Sequence, residues 1–166
     1  MAKAIYTAQA QVTGGREHGH GHTEDGALDV QLRPPTGEGS PEGTNPEQLF
    51  AVGYAACFEG ALAAVARRER LELGEVSIDS RVSLFPTPER GFKLGAELHV
   101  SLSAVNDPTQ AVKLVGAAHS VCPYSNATRG NIEVTLTANG QPAGETLPSP
   151  SPSSEPGGEE ADNGQA

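Results

Sequence analysis

The stretch TNPEQLFAVGYAACFEGALAAVA, residues 44–66, decides how the chain is read. Thr44-Asn45-Pro46-Glu47 is a helix start: a side chain able to cap, proline at the first helical position, and an acid in the first turn. The helix is expected to run to about Arg70, where ARRERLELG ends the apolar pattern and Gly74 follows. Its middle is apolar on nearly every face, and Gly53, Ala55, Ala56, Gly60 and Ala61 allow close approach. A helix of that character is enclosed by other elements or by another subunit. A membrane span needs about 20 predominantly apolar residues. The run Leu49–Phe58 is stopped by Glu59 and so reads as a core helix.

Working outward, Ala2–Val12 alternates polar with small or apolar residues and reads as a strand. Gly14-Gly15 breaks it, residues 14–26 read as a Gly- and His-rich connection, and Ala27–Leu32 reads as a second strand that forms a hairpin with the first. RPPTGEGSPEGTNP is a loop. Beyond the helix, Val76–Leu84 and Phe92–Leu102 alternate around the turn FPTPERG as a second hairpin. Asp107-Pro108 repeats the cap-then-proline start, and a helix with Ala111, Leu114, Val115 and Ala118 on one face stops at Cys122-Pro123. Asn131–Thr137 is a last strand. The order ββαββαβ predicts an α+β domain of antiparallel hairpins with two core helices over residues 1–140. Residues 141–166, rich in Pro, Ser, Gly and Glu, are expected to be a disordered acidic tail.

The chain has 166 residues, a formal net charge of −10 and no tryptophan. The negative charge, half of it in the tail, argues against nucleic acid and against anionic membrane surfaces. MAKAIYTAQAQV lacks the apolar centre of a secretory signal, so a cytoplasmic location is expected. There the two cysteines, Cys57 and Cys122, read as catalytic, redox-active or simply buried, rather than as a permanent structural disulfide.

A thiol reacts as thiolate. Cys57 lies about three turns into its helix, beyond useful reach of the helix dipole, and desolvation pushes its pKa up. A reactive Cys57 therefore needs a cation brought from elsewhere, and arginine keeps its charge in an apolar niche better than lysine.

GTNPEQLFAVGYAACFEGAL (43–62) together with VCPYSNATRGNI (121–132) closely resembles the organic hydroperoxide resistance (Ohr) proteins of the Ohr/OsmC superfamily. The GGRE turn and the ALDVQL strand extend the likeness over roughly residues 3–139. The resemblance implies an OsmC-like intertwined homodimer and a thiol peroxidase that reduces organic and lipid hydroperoxides to alcohols. It aligns Cys57 with the peroxidatic cysteine, Cys122 with the resolving cysteine, Arg16 with the activating arginine and Glu47 with the carboxylate that holds it. It further implies a Cys57 sulfenic acid, a Cys57-Cys122 disulfide, and reduction by a lipoyl-type dithiol on a lipoylated protein, with no bound cofactor or metal.

Glu47 and Cys57 are ten residues apart, about 15 Å along one straight helix. One Arg16 cannot readily bond both, so either the helix breaks or a second subunit supplies the Arg16-Glu47 pair. The small-residue, all-round apolar helix favours the second.

Plainer readings stand beside these. Cys57 alone is a buried small hydrophobe, Cys122 a helix-end cysteine, Glu47 a first-turn acid and Arg16 an exposed turn residue. HGHGH (His18, His20, His22) has the side chains for a metal site, but its glycines and loop position read as a solvated connection. Phe50, Phe58 and Tyr124 are core or substrate-pocket wall. Two alternatives remain: a non-enzymatic redox sensor or metal-binding interaction protein, and an OsmC-type sibling of broader peroxide specificity.

Overall fold

A computed structural model describes residues 3–35 and 43–144. The chain begins with a meander: β1 (Ala10–Thr13), the one-turn helix α1 (Gly15–His18), β2 (His20–Thr23) and β3 (Asp29–Gln31), paired antiparallel in the order β1-β2-β3. There follow α2 (Pro46–Glu69), β4 (Val76–Pro86), β5 (Phe92–Leu102), α3 (Pro108–Val121), α4 (Pro123–Thr128), β6 (Glu133–Ala138) and β7 (Gln141–Pro142). The last four strands form a second sheet, β4-β5-β6-β7. The fold is α+β, with two sheets and four helices among the described residues.

The two long helices start where their sequences indicate. Asn45 accepts from the Gln48 backbone N–H at 2.9 Å, and the Gln48 side chain returns to the Asn45 N–H at 3.3 Å. This reciprocal pairing satisfies two donors that the first turn leaves orphaned. α2 closes where expected, on Arg70, whose left-handed φ of 57° lets its N–H reach the Ala66 and Arg67 carbonyls. Asp107 caps α3 through the Thr109 N–H at 3.0 Å.

The core lies between α2, α3 and one face of the second sheet. Ala111, Leu114, Val115, Ala118 and Cys122 recur at helical spacing and are all fully buried, facing Ala96, Leu98, Val100 and Leu102 of β5. α2 contributes Tyr54, Phe58, Ala61, Leu62, Val65 and Ala66. It is long and apolar enough to cross a membrane by composition, yet its inner stripe packs on the sheet, α3 and α4. Its other side is uncovered: Val52 is 72% exposed, and Ala56, Glu59 and Gly60 are exposed too. Within one chain this helix is not enclosed.

Several expectations are corrected. The β4-β5 hairpin is there as expected. The first hairpin is not: β2 forms within the supposed connection and lies between β1 and β3, paired to each, so the strand at 27–32 does not meet the first one. β5 and β6 are parallel, Gly95 to Val100 against Glu133 to Ala138. Parallel neighbours need a crossover, and α3 with α4 supplies it. Residues 3–9 form no strand and are exposed, with Ile5 and Tyr6 in the open; the first contact with a neighbour is the Gln9 carbonyl, which accepts from the Glu24 N–H at 3.1 Å. The His-rich connection is partly ordered, since β2 runs through its second half. The strand expected at Asn131 begins at Glu133. The domain does not end at 140: Gln141 pairs with Ala138, and Ala143 is 3% exposed with its N–H on the Leu136 carbonyl at 2.8 Å. The rest of the expected tail, 145–166, lies outside the described residues.

Candidate active site

Cys57 sits midway along α2, at the margin of the core and partly buried. Cys122 occupies the corner between α3 and α4, closing one helix and opening the other, with φ −65° and ψ 124°. Proline at 123 keeps its predecessor out of the helical region, which turns the chain there. The corner delivers the Cys122 sulfur, itself fully buried, to 3.7 Å from the Cys57 sulfur. Both cysteines are free thiols. Burial pushes the Cys57 thiol above its ordinary range. The Tyr124 backbone N–H works the other way, and the neighbouring Cys122 raises it further. Because Pro123 has no N–H, Tyr124 offers the first free donor of α4.

Arg16 lies in α1, after two glycines at φ 74° and 69°. That left-handed conformation is available to glycine at little cost and swings the arginine towards the N-terminus of α2. Its Nη2 donates to both Glu47 carboxylate oxygens, at 3.0 and 2.9 Å. The pair edges a cavity of about 370 Å³ whose other walls include Pro35, Ala51, Val82 and Leu84. A similar cavity of about 380 Å³, lined by Phe85, Lys93 and Asn131 among others, contains none of the candidate residues.

The fold thus gathers the predicted residues into two pairs, Cys57 with Cys122 and Arg16 with Glu47. It does not join the pairs. α2 is unbroken from Pro46 to Glu69, so the first of the two arrangements considered, a broken helix, does not occur. Glu47 and Cys57 stand about 15 Å apart along the axis, and the Arg16 of this chain is engaged at the Glu47 end.

Phe50, Tyr54 and Tyr124 cluster beside the cysteines, with ring centroids 5.8–5.9 Å apart. Phe50 and Tyr124, expected as core or pocket wall, line neither of the two cavities described above. Phe58 is wholly buried and is a core residue. Tyr54 was missed. Its hydroxyl meets Ser125 Oγ at 3.0 Å and Thr128 Oγ1 at 3.3 Å; the available signal was a lone phenol in an apolar helix, one turn before Cys57. Gly53 is explained by contact, since a Cβ there would lie 3.2 Å from the Tyr124 hydroxyl.

His20 and His22 stack at 5.3 Å, and His20 Nε2 pairs with Asp29 at 2.7 Å. Among the described residues no cluster of three or more His, Cys, Asp or Glu could hold a metal.

The sequence model of the family described as OsmC-like protein matches residues 37–137. An organic hydroperoxide resistance protein of Xanthomonas axonopodis pv. citri is 54% identical over 138 residues, covering 81% of this chain and 95% of that protein. The organic hydroperoxide resistance protein OhrB of Bacillus subtilis is 46% identical over 135 residues, covering 80% and 97%. The crystal structure of an organic hydroperoxide resistance protein from Legionella pneumophila, 51% identical, superposes with a TM-score of 0.75 over 81% of this chain and 98% of that one. Family match, relatives and superposed fold agree with one another: the chain belongs to the OsmC-like family, on its organic hydroperoxide resistance branch.

Proposed function

We propose that this protein is a cysteine-based peroxidase for organic and lipid hydroperoxides, acting in oxidative-stress defence as a homodimer. The observation that carries the reading is the meeting of the two cysteines, 65 positions apart, with sulfurs at 3.7 Å. In the reaction the Cys57 thiolate attacks the terminal peroxide oxygen and the O–O bond breaks. The alkoxide leaves and takes a proton to become the alcohol, and Cys57 becomes a sulfenic acid. Cys122 then attacks that sulfur; an S–S bond forms and hydroxide departs with the Cys122 proton as water. A dithiol, of the lipoyl type in the proteins this chain resembles, returns both thiols and becomes a disulfide itself. Such a donor belongs to a reducing compartment, in keeping with a cytoplasmic setting. The chemistry calls for no metal or organic cofactor.

Burial alone would leave Cys57 protonated, so the thiolate requires a cation. The partner subunit's Arg16, held by the partner's Glu47, is the one we assign. It stabilises the thiolate and the charge developing on the departing oxygen. The uncovered apolar side of α2 is the surface across which the second subunit would bring it. A greasy surround of this kind also favours alkyl over hydrogen peroxide.

The test is steady-state consumption of a fatty-acid or tert-butyl hydroperoxide with a dithiol, followed by mass mapping for a Cys57-Cys122 disulfide. Cys57→Ser should abolish turnover, and Cys122→Ser should strand the sulfenic acid. Full activity in Cys57→Ser overturns the proposal. A single stoichiometric reaction without turnover assigns the protein to redox sensing instead.

A further inference from the structure

We infer that Tyr54 is a positioning residue for the second chemical step, docking α4 onto α2 so that Cys122 captures the oxidised Cys57 before another peroxide does. The inference rests on the peroxidase reading above.

Tyr54 and Ser125 are fully buried, and Thr128 nearly so. Thr128 Oγ1 donates to a carbonyl, that of Tyr124 at 3.0 Å or Ser125 at 3.2 Å. Carbonyls only accept, so this uses the one hydroxyl proton of Thr128. Its oxygen must then accept from Tyr54, 3.3 Å away. That uses the Tyr54 proton, so the 3.0 Å contact with Ser125 is made by the Ser125 hydroxyl donating to Tyr54. The protons therefore run one way, from Ser125 to Tyr54 to Thr128 to a backbone carbonyl of α4. Every member is satisfied, the condition under which a buried polar network rigidifies its surroundings.

The placement gives the network its role. Tyr54 is one turn before Cys57 on α2, while both hydroxyl partners sit on α4, whose first residues follow directly from Cys122. Tyr54 ties α4 to the side-chain surface of α2 through these hydroxyl hydrogen bonds. The two sulfurs must close from 3.7 Å to a bond of about 2.05 Å, and the network keeps the search for that geometry short. The competing reaction is attack of the Cys57 sulfenate on a second hydroperoxide, which cleaves the O–O bond, releases a second alcohol and leaves a sulfinic acid that thiols do not reduce.

The test uses the reduced full-length protein mixed with tert-butyl hydroperoxide, following sulfenic acid formation, disulfide formation and Cys57 sulfinic acid separately. In Tyr54→Phe the first step should be unchanged, and disulfide formation should slow about fivefold to tenfold, the weight of one or two buried hydrogen bonds. The peroxide concentration that inactivates half the enzyme should fall in proportion. Thr128→Val should behave likewise, and Thr128→Ser, which keeps the hydroxyl, should retain the wild-type partition. Should Tyr54→Phe fail to fold, Ser125→Ala removes the same link from the α4 side. Wild-type disulfide rates and inactivation concentrations in these variants, or an equal fall in both steps, overturn the inference. Absence of a Cys57-Cys122 disulfide in the wild type would instead overturn the peroxidase reading.

Discussion

Mixing two inactive variants tests whether the site is shared between subunits. Arg16→Ala keeps Cys57 and loses the cation; Cys57→Ser keeps Arg16 and loses the nucleophile. Each alone should be inert or nearly so, since removing one donor that stabilises developing charge costs about a hundredfold or more. Within one chain Arg16 holds Glu47 at 2.9 Å, and the Cys57 position is about 15 Å further along the same unbroken helix. No guanidinium spans that gap while keeping its carboxylate. In a mixed dimer, however, the intact Cys57 of one chain faces the intact Arg16 of the other, while the second site has neither. Random equal mixing makes half the dimers mixed, each with one working site, so about a quarter of wild-type activity should return. The assay is hydroperoxide turnover on variants carrying different tags, refolded together and separated by tandem affinity steps. A purified mixed dimer as inert as its parents would refute the shared site and require Arg16 to leave Glu47 and serve its own chain.

The remaining predictions concern single features. Arg16→Ala leaves the upward push of burial on Cys57 unopposed by a guanidinium, so the pH profile of Cys57 alkylation should move to higher pH. The alkylation rate near neutrality should drop about tenfold for a midpoint one pH unit higher. Burial, and then the charge of Arg129, hold the half-buried His119 imidazole below its usual 6.5. The unfolded chain therefore takes the proton more readily, and the stability contributed is full above pH 6.5 and lost as pH falls through it; His119→Gln should flatten the Tm profile between about pH 7 and pH 5. Truncation after Gly144 should leave urea stability unchanged, whereas truncation after Gly140 should cost about 1–3 kcal/mol by stripping Ala143 and the β7 bonds. Gly53→Val should drive a methyl group into the Tyr124 ring, destabilising by about 1–3 kcal/mol, and crystallography should find Tyr124 displaced.

Where residues act on near neighbours, the fold could be read in advance. Asn45-Pro46 and Asp107-Pro108 announced α2 and α3 because capping is a matter of three or four consecutive residues. The β4-β5 hairpin followed from alternation around FPTPERG. Alternation says which face is buried but not which strand lies alongside or in which direction, so the parallel β5-β6 pairing was invisible. α4 escaped because PYSNAT is too short and too polar to show a helical period. Gln141–Gly144 escaped because QPAG has the composition of the tail that follows. At the site, Cys57 and Cys122 were found through motifs, and the helix rise alone separated Glu47 from Cys57. The hydroxyl network could not be found that way: its members are 71 and 74 positions apart, and only folding relates them.

The 65-residue separation of the two cysteines has a mechanical side. The segment between them carries β4, β5 and α3, a large part of the core. When the sulfurs bond, that whole segment becomes a covalent ring, and the denatured chain loses conformations worth about 4 kcal/mol. This is a sizeable share of the about 5–15 kcal/mol that holds a typical domain together. Each catalytic cycle would tie the polypeptide into a loop and then untie it. The enzyme would be most resistant to unfolding while it is oxidised, when peroxide is abundant and reductant scarce, and would relax only as reducing power returns.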